Sequence, residues 1–276
     1  MSDIRVFNHH AMATQFQVRI ANEDETYAAQ AAQAAFAVTD ELESLLSRFR
    51  ANSDISQIAQ LIPGEKLRIS EPVFACLLMA QRMEFVTRGA FSVTAAALKH
   101  QPARPLWSLL PAEYSIRCDS GRLEFDLGAI GKGFALDRMA EVLREWDCPA
   151  FLLVAGGSSI LAGNAPKATA GWSYGLGEDN STHRYSLANA SLSGSGLAVK
   201  GAHIFDPRTG LPARRQNRVW ALADTAAESD ALSTAGMVLD ETELTSLLEK
   251  NPAWLIFLNE QQTWRCLGQR ACPATA

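Results

Sequence analysis

Long apolar runs are missing from this chain. No stretch approaches the ~20 consecutive apolar residues that a membrane-spanning helix needs. Asp3, Arg5, His9 and His10 break up the opening segment, so no signal-peptide core is legible there and a cytoplasmic protein is expected. Charge of one sign is scarce too: 25 Lys and Arg stand against 30 Asp and Glu, for a net charge of −5, and charged residues make up only 20%. That balance excludes a mainly disordered chain. It also gives no general attraction to nucleic acid or anionic membranes. Cysteine is sparse and odd in number, five in 276 residues, and no pair has metal-finger spacing. A disulfide framework is therefore not expected and reduced thiols are the default, with a Cys266–Cys272 pair near the C-terminus as the alternative. Glycine (18) and proline (11) are too few for a collagen-like or low-complexity chain.

What is present suits a core. The chain is 47% apolar, and at this length a folded chain buries roughly three quarters of its unfolded surface. Residues 13–20 partly alternate and predict a strand. Val38, Leu42, Leu45 and Phe49 fall at helical spacing within a long helix over about 24–49. Ser70 and Pro72 open a second helix that ends near Gly89. Residues 100–120 hold three prolines and read as irregular. Leu123–Leu127 predicts a strand, 128–133 a glycine turn, 134–146 a helix and 151–155 a buried strand. SLSGSG (191–196) reads as a mobile polar loop, 219–224 as a strand, 229–239 and 241–250 as helices, and 254–258 as a last strand. Helices alternating with strands indicate α/β or α+β architecture. No linker or repeat marks a boundary, so one domain over 1–276 is expected.

Three motifs bear on chemistry. In DLGAIGKG, Asp126 to Gly133, glycines between strand and helix let backbone N–H groups approach a ligand, and Lys132 adds a full charge. That suits a phosphate or pyrophosphate, though a turn that only packs strand against helix has the same composition. The spacing is neither a Walker loop nor a dinucleotide fingerprint. In SDALST, Asp230 and Thr234 lie four apart on one helix face. A carboxylate and a hydroxyl so placed suit a hard cation such as Mg²⁺; a plain helix start with a capping Ser229 or Asp230 accounts for them equally. In HIFDPRTG, the Asp-Pro-Arg-Thr-Gly run is a turn signal, and His203 beside it is the residue type suited to acid or base work near neutral pH. The other histidines have no evident partner. His9 and His10 are adjacent and in a strand point to opposite faces, while His100 and His183 lie in polar loops.

In order, DLGAIGKG, AGG, SGSG, HIFDPRTG and SDALST resemble the ApbE family of FAD:protein FMN transferases. Further counterparts are Met12-Ala13-Thr14, Leu46-Ser47-Arg48-Phe49 with Ser53, and Gly89-Ala90-Phe91-Ser92, so the likeness runs from about 12 to 258. The resemblance implies an α+β fold with mixed sheets flanked by helices and FAD in a central cleft. It implies transfer of FMN from FAD to a threonine or serine hydroxyl of an acceptor flavoprotein, with Mg²⁺ required and AMP released. Carried over by position, Mg²⁺ falls to the side chains of Asp230 and Thr234 and the backbone oxygens of Ala129 and Ser233. FAD contacts fall to Met12, Phe49, Ala90, Phe91, Ser92, Asp126, Lys132 and Ile204, with His203 and Lys132 as catalytic candidates. Ala13 replaces the family's glycine, Ser92 and Ser158 replace aspartates, and the stretch between Thr94 and Asp126 is short. An FAD pyrophosphatase and a non-catalytic flavin-binding protein are the alternative readings.

Overall fold

The computed structural model describes residues 3–98, 106–176, 184–196, 204–215, 217–260 and 263–273. The chain opens with β1 (Ile4–Ala11) and β2 (Thr14–Ala21), joined by a two-residue turn. Met12 and Ala13 both take left-handed backbone, with φ of 51° and 56°. That is the geometry whose twist suits a tight hairpin, and it usually recruits Asn-Gly. Asp24 caps α1 (Glu25–Leu46) by accepting from the N–H groups of Thr26 and Tyr27. The short α2 (Asp54–Ile58) and β3 (Lys66–Arg68) follow. α3 (Glu71–Val86) has Pro72 in its first turn. Ser70 precedes it as expected, but its hydroxyl makes no cap bond and donates instead to Asp54.

α4 (Ala95–Leu98) leads toward a small three-stranded sheet. Its β4 (Trp107–Leu110) and β5 (Ser115–Cys118) fall in the stretch expected to be irregular. Of the three prolines, Pro111 starts the turn between the two strands, and Pro102 and Pro105 lie outside the described residues. Residues 123–127 correct the reading in the other sense. Leu123, Phe125 and Leu127 are buried in alternation, yet no strand forms. Alternation reports which side faces the core, whereas a ladder also needs a partner edge.

α5 (Gly131–Glu145) leads into the hairpin of β6 (Phe151–Ala155) and β7 (Ser159–Ala162), then β8 (Trp172–Gly175) and β9 (Arg184–Leu187). β10 (Ala190–Ser195) and β11 (Val219–Ala223) precede α6 (Ala226–Val238) and α7 (Glu241–Lys250), and β12 (Leu255–Glu260) and β13 (Thr263–Leu267) close the chain. Eight strands form one sheet in the order β1-β2-β6-β7-β10-β11-β12-β13. The expected α+β architecture holds, while every pairing among the described residues is antiparallel rather than mixed. The main core lies between one face of the large sheet and helices α1, α5 and α6. A second cluster, with Trp172, Tyr185 and Trp220, fills the opposite face under the β8–β9 hairpin. Cys266 and Cys272 are joined as a disulfide, against expectation, because β13 and the segment after it bring the two sulfurs together. Among the described residues no helix is long and apolar enough to cross a membrane.

Candidate active site

Two helices carry the site, and a glycine lets them touch. A methyl group on Gly133 would overlap the Ala226 carbonyl oxygen and lie 2.7 Å from the Ala227 nitrogen. The last glycine of DLGAIGKG is thus a contact between α5 and α6. The close approach lets the Gly133 N–H donate to Asp230 Oδ2 at 3.1 Å. The Asp230 side chain is only 4% exposed, and burying an ionised carboxylate is costly unless it is paired. Ser159 Oγ donates to Oδ1 at 3.0 Å. Lys132 Nζ lies 3.3 Å from Oδ2 and donates to the Gly128 carbonyl at the same distance. Gly156 and Gly157, at φ of 59° and 68°, turn β6 into β7 and so deliver Ser159.

The expected cradle of free amides is largely spent inside the protein. The Gly128 N–H donates to Asp126 Oδ1, those of Ile130 and Gly131 to the Leu127 carbonyl, and that of Gly133 to Asp230. The full positive charge at this point is the Lys132 ammonium, in the first turn of α5.

SDALST does not open its helix. α6 begins at Ala226 after the cap residue Thr225, which places Asp230 in the second turn and Thr234 in the third. Asp137 on α5, a residue the sequence reading passed over, accepts from the Ala226 and Ala227 N–H groups at 2.7 and 2.8 Å. Burial pushes its carboxyl up to about 7, against the pull of those two bonds. At the other end of α6, Arg215 donates to the carbonyls of Gly236 and Leu239. Every α6 residue except Thr234 is buried.

SLSGSG is strand rather than loop. Its alternate serines face α6: Ser191 and Ser193 each lie 2.8 Å from Ser229. Ser195 lies 2.8 Å from Ser233 and 2.9 Å from Thr234. The period-2 spacing of those serines, matched by hydroxyls at 229 and 233, was the signal for this interface.

The structure brings most of the carried-over positions together. Met12 packs beside Gly131. Arg48 pairs with Asp126 at 2.9 Å and lies over the ring of Phe49, which is 85% exposed. The Asp126 N–H donates to the Val93 carbonyl, which seats the segment holding Ala90, Phe91 and Ser92 next to the loop. Ala90 and Phe91 are buried and pack in the main core. Ser92 donates to Glu84. Ala129 adjoins Gly128, whose carbonyl takes the Lys132 bond. Ser233 sits inside α6, where its carbonyl belongs to the helical ladder and its hydroxyl donates to the Asp230 carbonyl at 2.9 Å. Ile204 is buried, and its carbonyl accepts from the Ala213 N–H. His203, His100 and His183 lie outside the described residues. His9 does have a partner: its ring stacks on Phe36, and Nε2 lies 2.7 Å from Asp40.

The Asp-Pro-Arg-Thr-Gly turn is tied to α7. Arg208 grips Asp206 through Nε and Nη2 and reaches Glu243 at 2.6 Å. Burial works to raise the Asp206 carboxyl, but the Arg208 bonds and charge carry it below the usual range. The same guanidinium lowers Glu243.

Among the described residues no cluster of three or more His, Cys, Asp or Glu could hold a metal by itself. One carboxylate, hydroxyls and carbonyls around Asp230 form a hard oxygen set. It fits a cation that completes its shell on phosphate oxygens and water.

The model of the ApbE family matches residues 12–257. A curated relative from Klebsiella pneumoniae, an FAD:protein FMN transferase, is 24% identical over 249 residues, spanning 77% of this chain and 75% of its own. The Escherichia coli K12 protein of the same name is 19% identical over 312 aligned positions, spanning 95% of this chain and 87% of its own. The solved flavin transferase ApbE from Vibrio cholerae has a TM-score of 0.81 at 19% identity over 97% of both chains. The ApbE protein of Thermotoga maritima gives 0.80 at 20% identity, over 93% of this chain and 94% of its own. A shared fold and a family match over nearly the whole length agree with the motif order, and the chain belongs to the ApbE family.

Proposed function

We propose that this protein transfers FMN from FAD to a threonine or serine hydroxyl of an acceptor flavoprotein, with Mg²⁺ required. The new bond joins the acceptor oxygen to the FMN phosphorus. The bond that breaks is from that phosphorus to the oxygen bridging the two phosphates, and AMP leaves with that oxygen. The reading rests on family membership together with one observation, the buried Asp230 carboxylate facing the Lys132 ammonium at 3.3 Å. The Asp230 and Thr234 side chains, with carbonyls of the 128–129 turn, would hold the Mg²⁺. When bound, the ion supplies charge neutralisation to the pyrophosphate. Lys132 orients the same group as a mobile point charge. Such transfer depends mainly on positioning and electrostatic stabilisation. His203 is assigned to receive the acceptor proton.

The test is incubation with FAD, Mg²⁺ and a candidate acceptor flavoprotein. Covalent flavin on the acceptor supports the reading. Free FMN with AMP indicates a pyrophosphatase, and intact FAD indicates a flavin-binding protein.

A further inference from the structure

We infer that Ser195 is a positioning residue that fixes the direction of the Thr234 hydroxyl and turns its lone pairs toward the cation site. The inference rests on the transferase reading above.

Each hydroxyl has one hydrogen to give, so the chain of hydroxyls can be followed from its end. The Asp230 carbonyl can only accept, and Ser233 Oγ donates to it at 2.9 Å. Ser233 has then spent its hydrogen, so the 2.8 Å contact with Ser195 must be donated by Ser195. Ser195 is spent in turn, so the 2.9 Å contact with Thr234 must be donated by Thr234. The reverse order would give up the 2.9 Å bond to the Asp230 carbonyl for one of 3.4 Å from Thr234. The shorter bond decides the direction, from Thr234 through Ser195 and Ser233 to the carbonyl.

Two consequences meet at Thr234. Its hydrogen points inward, which leaves the outer side of Oγ1 as acceptor only. It is also the one α6 residue that is not buried. A hydroxyl presenting lone pairs one turn from a buried carboxylate suits a hard cation, whereas one free to rotate would present its hydrogen part of the time. Groups that orient a metal ligand typically contribute 10–100-fold to affinity.

The test uses the full chain with Mn²⁺ as probe and saturating ADP, read by the electron paramagnetic resonance signal of free Mn²⁺. Ser195→Ala is expected to weaken Mn²⁺ binding at least about tenfold, and Ser195→Thr, which keeps the hydroxyl, to restore most of it. In the Thr234→Ala background, Ser195→Ala is expected to add no further loss, because Ser195 acts through Thr234. A fold defect would weaken both backgrounds and would not be rescued by threonine. Wild-type affinity in Ser195→Ala, with binding lost in Asp230→Ala and Thr234→Ala, would overturn the Ser195 role alone. Wild-type affinity in all three variants, or no binding by wild type, would overturn the metal reading and this inference with it.

Discussion

Gly133 and Ala226 touch backbone to backbone, and no side chain fits between them. This contact sets how far α5 stands from α6, and so whether the Gly133 N–H reaches Asp230. Gly133→Ala is expected to cost about 3 kcal/mol, as overpacking of a closed contact does. Chemical denaturation measures the loss. FAD binding should fall with it, because the displaced helices separate Lys132 from Asp230.

Ala13 holds left-handed backbone at φ 56°, which strains any residue with a Cβ. Ala13→Gly is expected to stabilise the protein by about 1 kcal/mol, the relief of strain exceeding the added chain entropy. The melting temperature should rise by roughly 2 °C, and an unchanged or lower value would contradict a strained turn.

Asp137 predicts a pH effect with a definite sign. Its folded carboxyl titrates near 7, above the ordinary value near 3.8, so the folded state holds the proton more tightly than the unfolded chain. Its contribution is fully present below about pH 4 and is lost as pH rises through 7. Asp137→Asn cannot titrate. The stability of wild type relative to this variant should therefore fall across that window, by up to ~4 kcal/mol. Parallel stability curves from pH 4 to 7 would rule this out.

Arg208 makes the opposite prediction. It lowers Asp206 and Glu243, so their contribution is present above the ordinary carboxylate range and lost as pH falls below about 4. Arg208→Lys gives up the forked contact with Asp206 and is expected to cost about 2 kcal/mol at neutral pH. Its acid unfolding midpoint should move to higher pH, as followed by circular dichroism.

Lys132→Asn leaves Asp230 without its cation and removes the positive charge proposed to face pyrophosphate. FAD binding is expected to weaken by about 1–3 kcal/mol. Titration calorimetry with equal affinities for wild type and variant would make Lys132 a bystander.

The local character of most elements was legible because apolar spacing reports the buried side directly. The failures share a cause. Residues 123–127 alternate without a ladder, since alternation cannot name a partner strand. Ser191, Ser193 and Ser195 looked like loop because small polar residues usually face water; here their hydroxyls are satisfied by Ser229, Ser233 and Thr234 across the core. Of the two readings open for the motif glycines, Gly133 serves the packing one, since it admits the start of α6. Asp137 and Arg215 stayed hidden because a helix end gripped from another element leaves no local pattern.

Those two residues hold α6 at both ends, a carboxyl accepting from its first amides and a guanidinium donating to its last carbonyls, around a helix enclosed on nearly every side. Such an element has no cheap way to fray. Its amide hydrogens should exchange with solvent only when the whole molecule opens. Asp230 is then as immobile as the fold itself, and a ligand clasped there acts on global unfolding rather than on a local fluctuation.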